Sequence, residues 1–437
     1  MRGRIGPASR FRRGRRLSTD TRCGVGAVLL TLWPGRTWPP DATDANLGRL
    51  SNVIYLDHNA TTPIAPEVLE AMMPFLTTEW GNPSSSYRFG SNLRSAIARA
   101  RGQVASLIGA SPSEVFFTGC GTESNNAAIN AALKAAPEKR EIVTSAVEHS
   151  SVLNQCMALE REGYRVTYLP VDRNGLLRVA DIESAITQRT AVVSLMWANN
   201  ETGVLFPVEM IGCVCRERGV LFHCDAVQAA GKLPVDVRQV GADYLSLTGH
   251  KLNAPKGVGA IYVRRTAPFS PLLHGGHQEG GRRGGTENVA LIIGMGKGAD
   301  LARASVAEYA GRVRSLRDML EGGITERVPD SEVNGDKAFR LGNTTNISFK
   351  GVASDALLLL LDGEGVCASS GSACLADSDE PSHVLRAMKP ETGGSREAIR
   401  LSCGITNNEV EIQSAIVTVE LAVQALREVG MASGGTC

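Results

Sequence analysis

Lys251 stands in Leu245-Ser-Leu-Thr-Gly-His-Lys-Leu-Asn-Ala-Pro-Lys-Gly-Val-Gly259, delivered by a strand and followed by a Gly/Pro-rich stretch. An amine so placed can be desolvated and deprotonated to serve as a Schiff-base nucleophile; plain solvation is the commoner fate of a lysine. Asp225 closes another apolar strand, Phe222-His-Cys-Asp-Ala-Val-Gln228. Its carboxylate can pair with a protonated ring nitrogen while Gln228 donates to a phenolic oxygen of the same ring, or it can cap the next helix. Gly121-Thr122-Glu123-Ser124 opens a helix, whose exposed amides and dipole suit a phosphate; a loose capping box is the structural alternative. His149, in Val147-Glu148-His149, is placed to stack on a flat ring and carry a proton, or simply to be solvated.

Two further residues suit a substrate rather than a ring. Cys374 lies in Ala368-Ser-Ser-Gly-Ser-Ala-Cys-Leu-Ala-Asp-Ser-Asp-Glu-Pro-Ser-His383, whose small, polar and acidic composition predicts a mobile exposed loop. A thiol on such a loop is placed to react, unless its exposure is incidental, whereas Cys120, Cys224 and Cys403 are expected in the core. Arg400, in Ala398-Ile-Arg-Leu-Ser402, alternates off a strand; it either clamps a carboxylate bidentately or decorates an edge.

These residues need a frame that gathers them. Strands are predicted over Glu114–Thr118, Glu141–Ser145, Tyr164–Leu169, Ala191–Trp197 and Val220–Cys224. Helices are predicted over Thr122–Ala135, after His149, and over Asp181–Thr187 and Glu209–Arg218. Such alternation predicts an α/β fold with a mostly parallel sheet covered on both faces. Ligands gather at the carboxyl ends of the strands in these sheets, where Gly121-Thr122, Glu148-His149, Asn199-Asn200-Glu201, Asp225 and Thr248–Lys251 all fall. Beyond a helical stretch near Leu301–Leu320 a smaller α+β unit is expected, ending in an amphipathic helix over Asn408–Arg427.

At 437 residues the chain is too long for one ordinary core, so a large domain and a smaller one are expected. A net charge of +1 gives no reason to expect nucleic acid or an anionic membrane as partner. The ten cysteines are irregularly spaced without a C-x-x-C pair, which argues against a disulfide framework and for a reducing compartment, and no His/Cys pair has zinc-ligand spacing. No apolar run approaches the ~18–20 residues of a membrane span. The first fifty residues carry Arg2, Arg4, Arg10, Arg12, Arg13, Arg15, Arg16 and Arg22 before the apolar run Val25–Trp33. They suit a disordered extension, a mitochondrial presequence or a weak twin-arginine signal, and are set apart from the fold.

Taken together the segments resemble the NifS/IscS cysteine desulfurases of the class V aminotransferase family. Tyr55-Leu-Asp-His-Asn-Ala-Thr-Thr-Pro63, Gly81-Asn-Pro-Ser-Ser85, Trp197-Ala-Asn-Asn-Glu-Thr-Gly203, Gly275-Gly-His-Gln-Glu279 and Arg282-Arg-Gly-Gly-Thr-Glu-Asn288 carry the resemblance, in order, from about Val53 to the final helix. The Trp-Ala-Asn-Asn and Ser-Ser-Gly-Ser-Ala-Cys wording leans towards the nitrogen-fixation branch. The resemblance implies the aspartate-aminotransferase-like fold of pyridoxal-phosphate enzymes: a large domain over residues 51–310 with a seven-stranded-type sheet, and a small domain over 311–437 carrying the Cys374 loop. Residues 51–65 are a candidate contribution to the small domain. It further implies pyridoxal phosphate on Lys251, His149 stacked on its ring, Asp225 at the ring nitrogen and Gln228 near the phenolic oxygen. Gly121, Thr122, Thr248 and His250 would hold the phosphate with Thr286 of the partner subunit, and Asn200 and Arg400 the substrate carboxylate.

The implied reaction converts L-cysteine to L-alanine: Lys251 moves the α-proton, the Cys374 thiolate takes the sulfur as a persulfide, and His149 carries a proton. A homodimer, a cytoplasmic setting (mitochondrial if residues 1–50 are a presequence) and an iron–sulfur scaffold as sulfur acceptor are implied as well. No resident metal is expected, although Cys374 can ligate a transferred iron–sulfur cluster. The chain departs from the family around Arg400, where Leu-Ser-Cys-Gly-Ile-Thr is shortened and lacks a further arginine, and Lys389–Glu397 is compressed. The competing readings are a selenocysteine lyase, a class V transaminase with no use for the Cys374 thiol, and an inactive scaffold subunit.

Overall fold

The computed structural model describes residues 53–370, 381–392 and 396–433. Residues 1–50 and Cys374, on which the targeting and persulfide expectations fall, lie outside them. The dominant element is a seven-stranded sheet in the order β2-β8-β7-β6-β5-β3-β4. Its strands are β2 (Val115–Thr118), β3 (Glu141–Ser145), β4 (Arg165–Leu169), β5 (Thr190–Met196), β6 (Leu221–Asp225), β7 (Tyr244–Thr248) and β8 (Gly259–Val263). The expected mostly parallel sheet is present: β8 alone runs antiparallel to its neighbours β2 and β7. Helices cover both faces, so β5, the near-continuous apolar run, is buried at all seven positions.

The predicted elements of the large sheet and its helices occur with ends shifted by a residue or two, whereas the final helix, expected to end at Arg427, runs on to Ser433. The helix expected at Thr122–Ala135 spans Gly121–Ala135, and the one after His149 spans Ser150–Arg161. The stretch near Leu301–Leu320 belongs to a longer helical run. It comprises helices Val289–Glu308 and Arg314–Arg327 joined by a π turn at Tyr309–Val313. The widened turn marks a change of core. Ile292, Met295 and Ala299 pack with the large-sheet cluster, whereas Leu316, Leu320 and Ile324 belong to a second cluster.

That second cluster lies under an antiparallel sheet in the order β12-β10-β9, formed by β9 (Ser331–Val333), β10 (Thr344–Phe349) and β12 (Ala398–Ser402). Leu56 also packs there, beside the parallel pair of β1 (Ile54–Tyr55) and β11 (Val366–Cys367). The opening motif is thereby held between the two cores. A final helix, Glu409–Ser433, sets Ile412, Ala415, Ile416, Val419 and Val423 into the second cluster.

Candidate active site

The carboxyl ends of β2, β3, β5, β6 and β7 bring the predicted residues to one edge of the large sheet. Asp225, the last residue of β6, is buried. Its Oδ2 accepts from Asn125 Nδ2 at 2.7 Å and its Oδ1 from the Val227 amide at 3.0 Å. Among the described residues no cation pairs with it. A buried carboxylate with two donors and no counter-charge is well suited to meet a protonated ring nitrogen.

Asn125 links Asp225 to His149. Its Nδ2 also donates to Ser151 Oγ at 2.8 Å, which lies 2.8 Å from His149 Nδ1. The Ser151 amide donates to the same Nδ1 at 3.1 Å. Nδ1 is therefore an acceptor, which places the proton of the neutral imidazole on Nε2. Burial lowers the His149 pKa; Asp225 opposes that shift and Lys251 adds to it. His149 thus senses the charge of both.

Lys251 follows β7 in the tight turn Gly249–Lys251, and its Nζ donates to the carbonyls of Asn59 and Ala60. The turn has no room for a side chain at Gly249, where a Cβ would lie 2.9 Å from the Pro255 carbonyl oxygen and 2.9 Å from Val258. Gly121 opens its helix beside Thr248: a Cβ there would meet Val227 at 3.1 Å and Thr248 at 3.5 Å. Only a bare backbone leaves the helix start open as a cradle for a phosphate. Thr248 is buried, and His250 is half-buried with its Nδ1 3.3 Å from Thr61 Oγ1. Thr122 is exposed at the helix start. Thr286 is exposed on the loop before the Val289–Glu308 helix and makes none of these contacts among the described residues. With the Asp225 pocket, the Gly121 cradle and the Lys251 amine on one strand edge, the residues fit pyridoxal phosphate.

On the other side of this edge Arg400 is buried in β12, opposite Asn346 of β10. The free side of β12 is closed by reciprocal backbone bonds with Ser369, so it is not a bare edge. Arg400 donates from Nη1 to the Asn200 carbonyl at 3.0 Å and from Nη2 to Asp57 Oδ1 at 2.6 Å, while its buried Nε has no partner among the described residues. The guanidinium keeps donors for a carboxylate and has its charge balanced by Asp57. Asn200 is presented by a turn that Asn199 builds, its Oδ1 accepting from the amides of Glu201 and Thr202. Gly203 closes this turn at φ +79°.

Several site residues carried no assignable signal in the sequence. Asn59 uses every polar group: its amide donates to Ser402 Oγ and its Nδ2 to Thr344 Oγ1, while its carbonyl accepts from Gln228 Nε2 and its Oδ1 from Lys232 and Asn343. Its place in the opening motif was the only clue. Asn125, Ser151 and Asp57 were equally silent. One expectation is corrected: Cys224 and Cys403 are buried, but Cys120 is exposed. It is the residue before the Gly121 helix, on the turn that leaves β2, where the chain emerges from the sheet.

Glu148 sits fully buried beside His149; it accepts from Ser145 Oγ at 2.6 Å and the Met196 amide at 3.1 Å, and burial raises its pKa to about 8. Burial lowers His58, His223 and His250 to about 4. The unfolded chain thus binds more protons at the three histidines between about pH 4 and 6.5, so their contribution to stability is lost as pH falls through that window. Glu148 has the opposite sign: its contribution is full below its ordinary 4.5 and is lost as pH rises through about 8. His149 carries the sign of these histidines and the buried Glu201 that of Glu148, so the histidines contribute stability that climbs to about pH 6.5 and the two carboxyls a decline as pH rises, by up to ~1.4 kcal/mol per pH unit for one proton. Glu148→Gln is expected to keep the acid limb and flatten the decline when thermal unfolding midpoints are measured from pH 5 to 8.5. Superimposable wild-type and variant profiles would remove Glu148 from this account.

Residues 54–414 match the family profile Aminotransferase class-V. Cysteine desulfurase 2 of Trichormus variabilis is 52% identical over 378 residues, covering 86% of this chain and 95% of its own. Cysteine desulfurase NifS of Azotobacter vinelandii is 49% identical over 377 residues, covering 86% of this chain and 94% of its own. A solved structure described as a NifS-like protein superposes with a TM-score of 0.79 at 35% identity, over 84% of this chain and 98% of that one.

Proposed function

Because the chain belongs to the class V aminotransferase family, as a cysteine desulfurase that uses pyridoxal phosphate, we propose that it draws sulfur from L-cysteine through Lys251, His149 and Arg400 and stores it on Cys374. The observation that carries this assignment of roles is the buried Asp225 carboxylate, without a cation partner among the described residues, on the same strand edge as Lys251 and His149.

The bound cofactor supplies an electron sink for the α-carbon of the substrate. Asp225 would keep the ring nitrogen protonated, and Gln228 would donate to the phenolic oxygen. His149 would stack on the ring, and its Nε2–H is the proton-bearing atom. The first-turn amides at Gly121 and Thr122, with Thr248 and His250, would bind the phosphate, joined by Thr286 of the partner subunit. Arg400 and Asn200 grip the substrate carboxylate and orient the α-proton to Lys251, which removes it. The Cys374 thiolate attacks the substrate sulfur, an S–S bond forms as the C–S bond breaks, and the carbon skeleton leaves as L-alanine after protonation. The sulfur then passes to an acceptor thiol, with an iron–sulfur scaffold as the expected recipient.

A homodimer belongs to the same proposal. It is supported by the exposed apolar side chains of Leu69, Met73, Leu76, Trp80 and Phe89, a set that a second copy can cover. We take residues 51–310 and 311–437 as the two domains, with 51–65 shared; the packing of Leu56 in the second cluster supports the sharing. A persulfide relay needs a reduced thiol, which favours the cytoplasm. Among the described residues no helix is long and apolar enough to cross a membrane.

The test is an absorbance spectrum of the purified protein before and after L-cysteine, with sulfide and alanine assayed. A band near ~400 nm that shifts on addition, with both products formed, is the expected result. A protein that stays colourless and inert with added pyridoxal phosphate would overturn the reading.

A further inference from the structure

Lys232 lies four residues after Gln228, on the turns that follow β6, and is 4% exposed. A lysine so buried ordinarily meets a carboxylate. Among the described residues Lys232 pairs with none. Its Nζ donates instead to two amide oxygens, Gln228 Oε1 at 2.8 Å and Asn59 Oδ1 at 3.0 Å. The charges felt most strongly around it are themselves cationic, those of Lys251 and Arg400. Its place is therefore not explained by charge pairing.

The two bonds do have a directional consequence. A primary amide can present either its oxygen or its nitrogen, and the two ends differ little in size. Gln228 gives its oxygen to Lys232 and one Nε2 proton to the Asn59 carbonyl at 3.0 Å. A flipped amide would set donor against donor at Lys232 and acceptor against acceptor at Asn59. With the observed orientation the second Nε2 proton has no partner among the described residues and remains for an acceptor on a ligand. Lys232 also holds Asn59, whose carbonyl receives Lys251.

We propose that Lys232 is a positioning residue for the desulfurase reaction: by donating to Gln228 Oε1 and Asn59 Oδ1 it locks the Gln228 amide with its donor end towards the cofactor's phenolic oxygen. The proposal rests on the role given to Gln228 above. Lys232 touches neither substrate nor cofactor and acts through Gln228. Removing it frees one of the two restraints on the amide, so the donor is presented part of the time rather than always.

The experiment compares wild type, Lys232→Met, Gln228→Ala and the double variant as purified full chains. The readouts are the dissociation constant for pyridoxal phosphate by equilibrium dialysis and the pH midpoint of the bound cofactor's visible band. Lys232→Met is expected to weaken cofactor binding about tenfold, the scale of one hydrogen bond, and to move the midpoint by about half a unit in the direction that Gln228→Ala moves it. In the Gln228→Ala background it should add less than about twofold. If the Met variant does not fold, Lys232→Gln, whose head falls one atom short of Gln228, takes its place. A midpoint that moves with Gln228→Ala but not with either Lys232 variant overturns the role of Lys232 and leaves that of Gln228 standing. A midpoint that Gln228→Ala itself does not move overturns the reading of Gln228 and the proposal with it. Fully additive shifts in the double variant overturn it as well, since Lys232 would then act by another route.

Discussion

Lys251→Ala is expected to fold, and to lose alanine and sulfide production by at least about 10⁴-fold, because one side chain is lost both as covalent anchor and as proton carrier. The structure shows why no neighbour can stand in. Lys251 reaches the site from a turn too tight for a side chain at Gly249, so its amine is placed by backbone geometry rather than by a flexible tether. The buried amine of Lys232 is held by Gln228 and Asn59, and Lys256, five residues on from Lys251, is exposed. The fold should survive because the Asn59 carbonyl, a receiver of the Lys251 protons, keeps its bond from Gln228 Nε2. Lys256→Ala is the matched control and should stay within twofold of wild type. A small primary amine added to Lys251→Ala should recover part of the α-proton exchange, measured by deuterium incorporation into recovered L-cysteine. Activity of Lys251→Ala within tenfold of wild type would take Lys251 out of the mechanism.

The parts of this site that were legible in the sequence are those where chemistry and local structure coincide. Asp225, His149 and Lys251 each follow an apolar run, and a parallel sheet sends the residues after such runs to one edge. β5 was legible because a strand covered on both faces must be apolar throughout. What escaped were the residues whose meaning depends on a distant partner. Asn125 is 100 positions from Asp225, and Asn59 is 343 positions from Ser402, so no local pattern announces either bond. Arg400 was legible as a carboxylate binder or an edge decoration; only the closure of β12 by Ser369 and the ion pair to Asp57 separate the two. Cys120 was misjudged for a related reason. Residue type predicts burial for a cysteine on average, whereas the turn from β2 into the Gly121 helix decides it here.

Cys374→Ser should leave cofactor binding and α-proton exchange at wild-type levels, while protein persulfide falls below detection and alanine formation drops by about 10³-fold or more. The reason is chemical: attack on the substrate sulfur needs a thiolate, and a serine hydroxyl is neither ionised nor soft enough to replace it. The described residues that flank this segment are themselves bonded to residues of the site. Ser369 exchanges backbone bonds with Arg400, the expected carboxylate binder. On the far side Ser382 Oγ donates to Glu201 Oε2 at 2.5 Å, and His383 Nε2 donates to the carbonyl of Glu148, the neighbour of His149, at 2.9 Å. Cys374 stands four positions after Ser370, with three residues between them, a reach of at most about 14 Å of extended chain. The other thiols divide sharply as competitors. Burial raises Cys224 well above its ordinary range and Cys403 to about 12, so neither supplies a thiolate. Cys120 is exposed and stands at the start of the Gly121 helix, which makes it the informative site to map by mass spectrometry. No persulfide on any cysteine of Cys374→Ser supports Cys374 as the acceptor. An undiminished persulfide that maps to Cys120 would transfer the role to that thiol, and the Cys374 loop would then need another purpose.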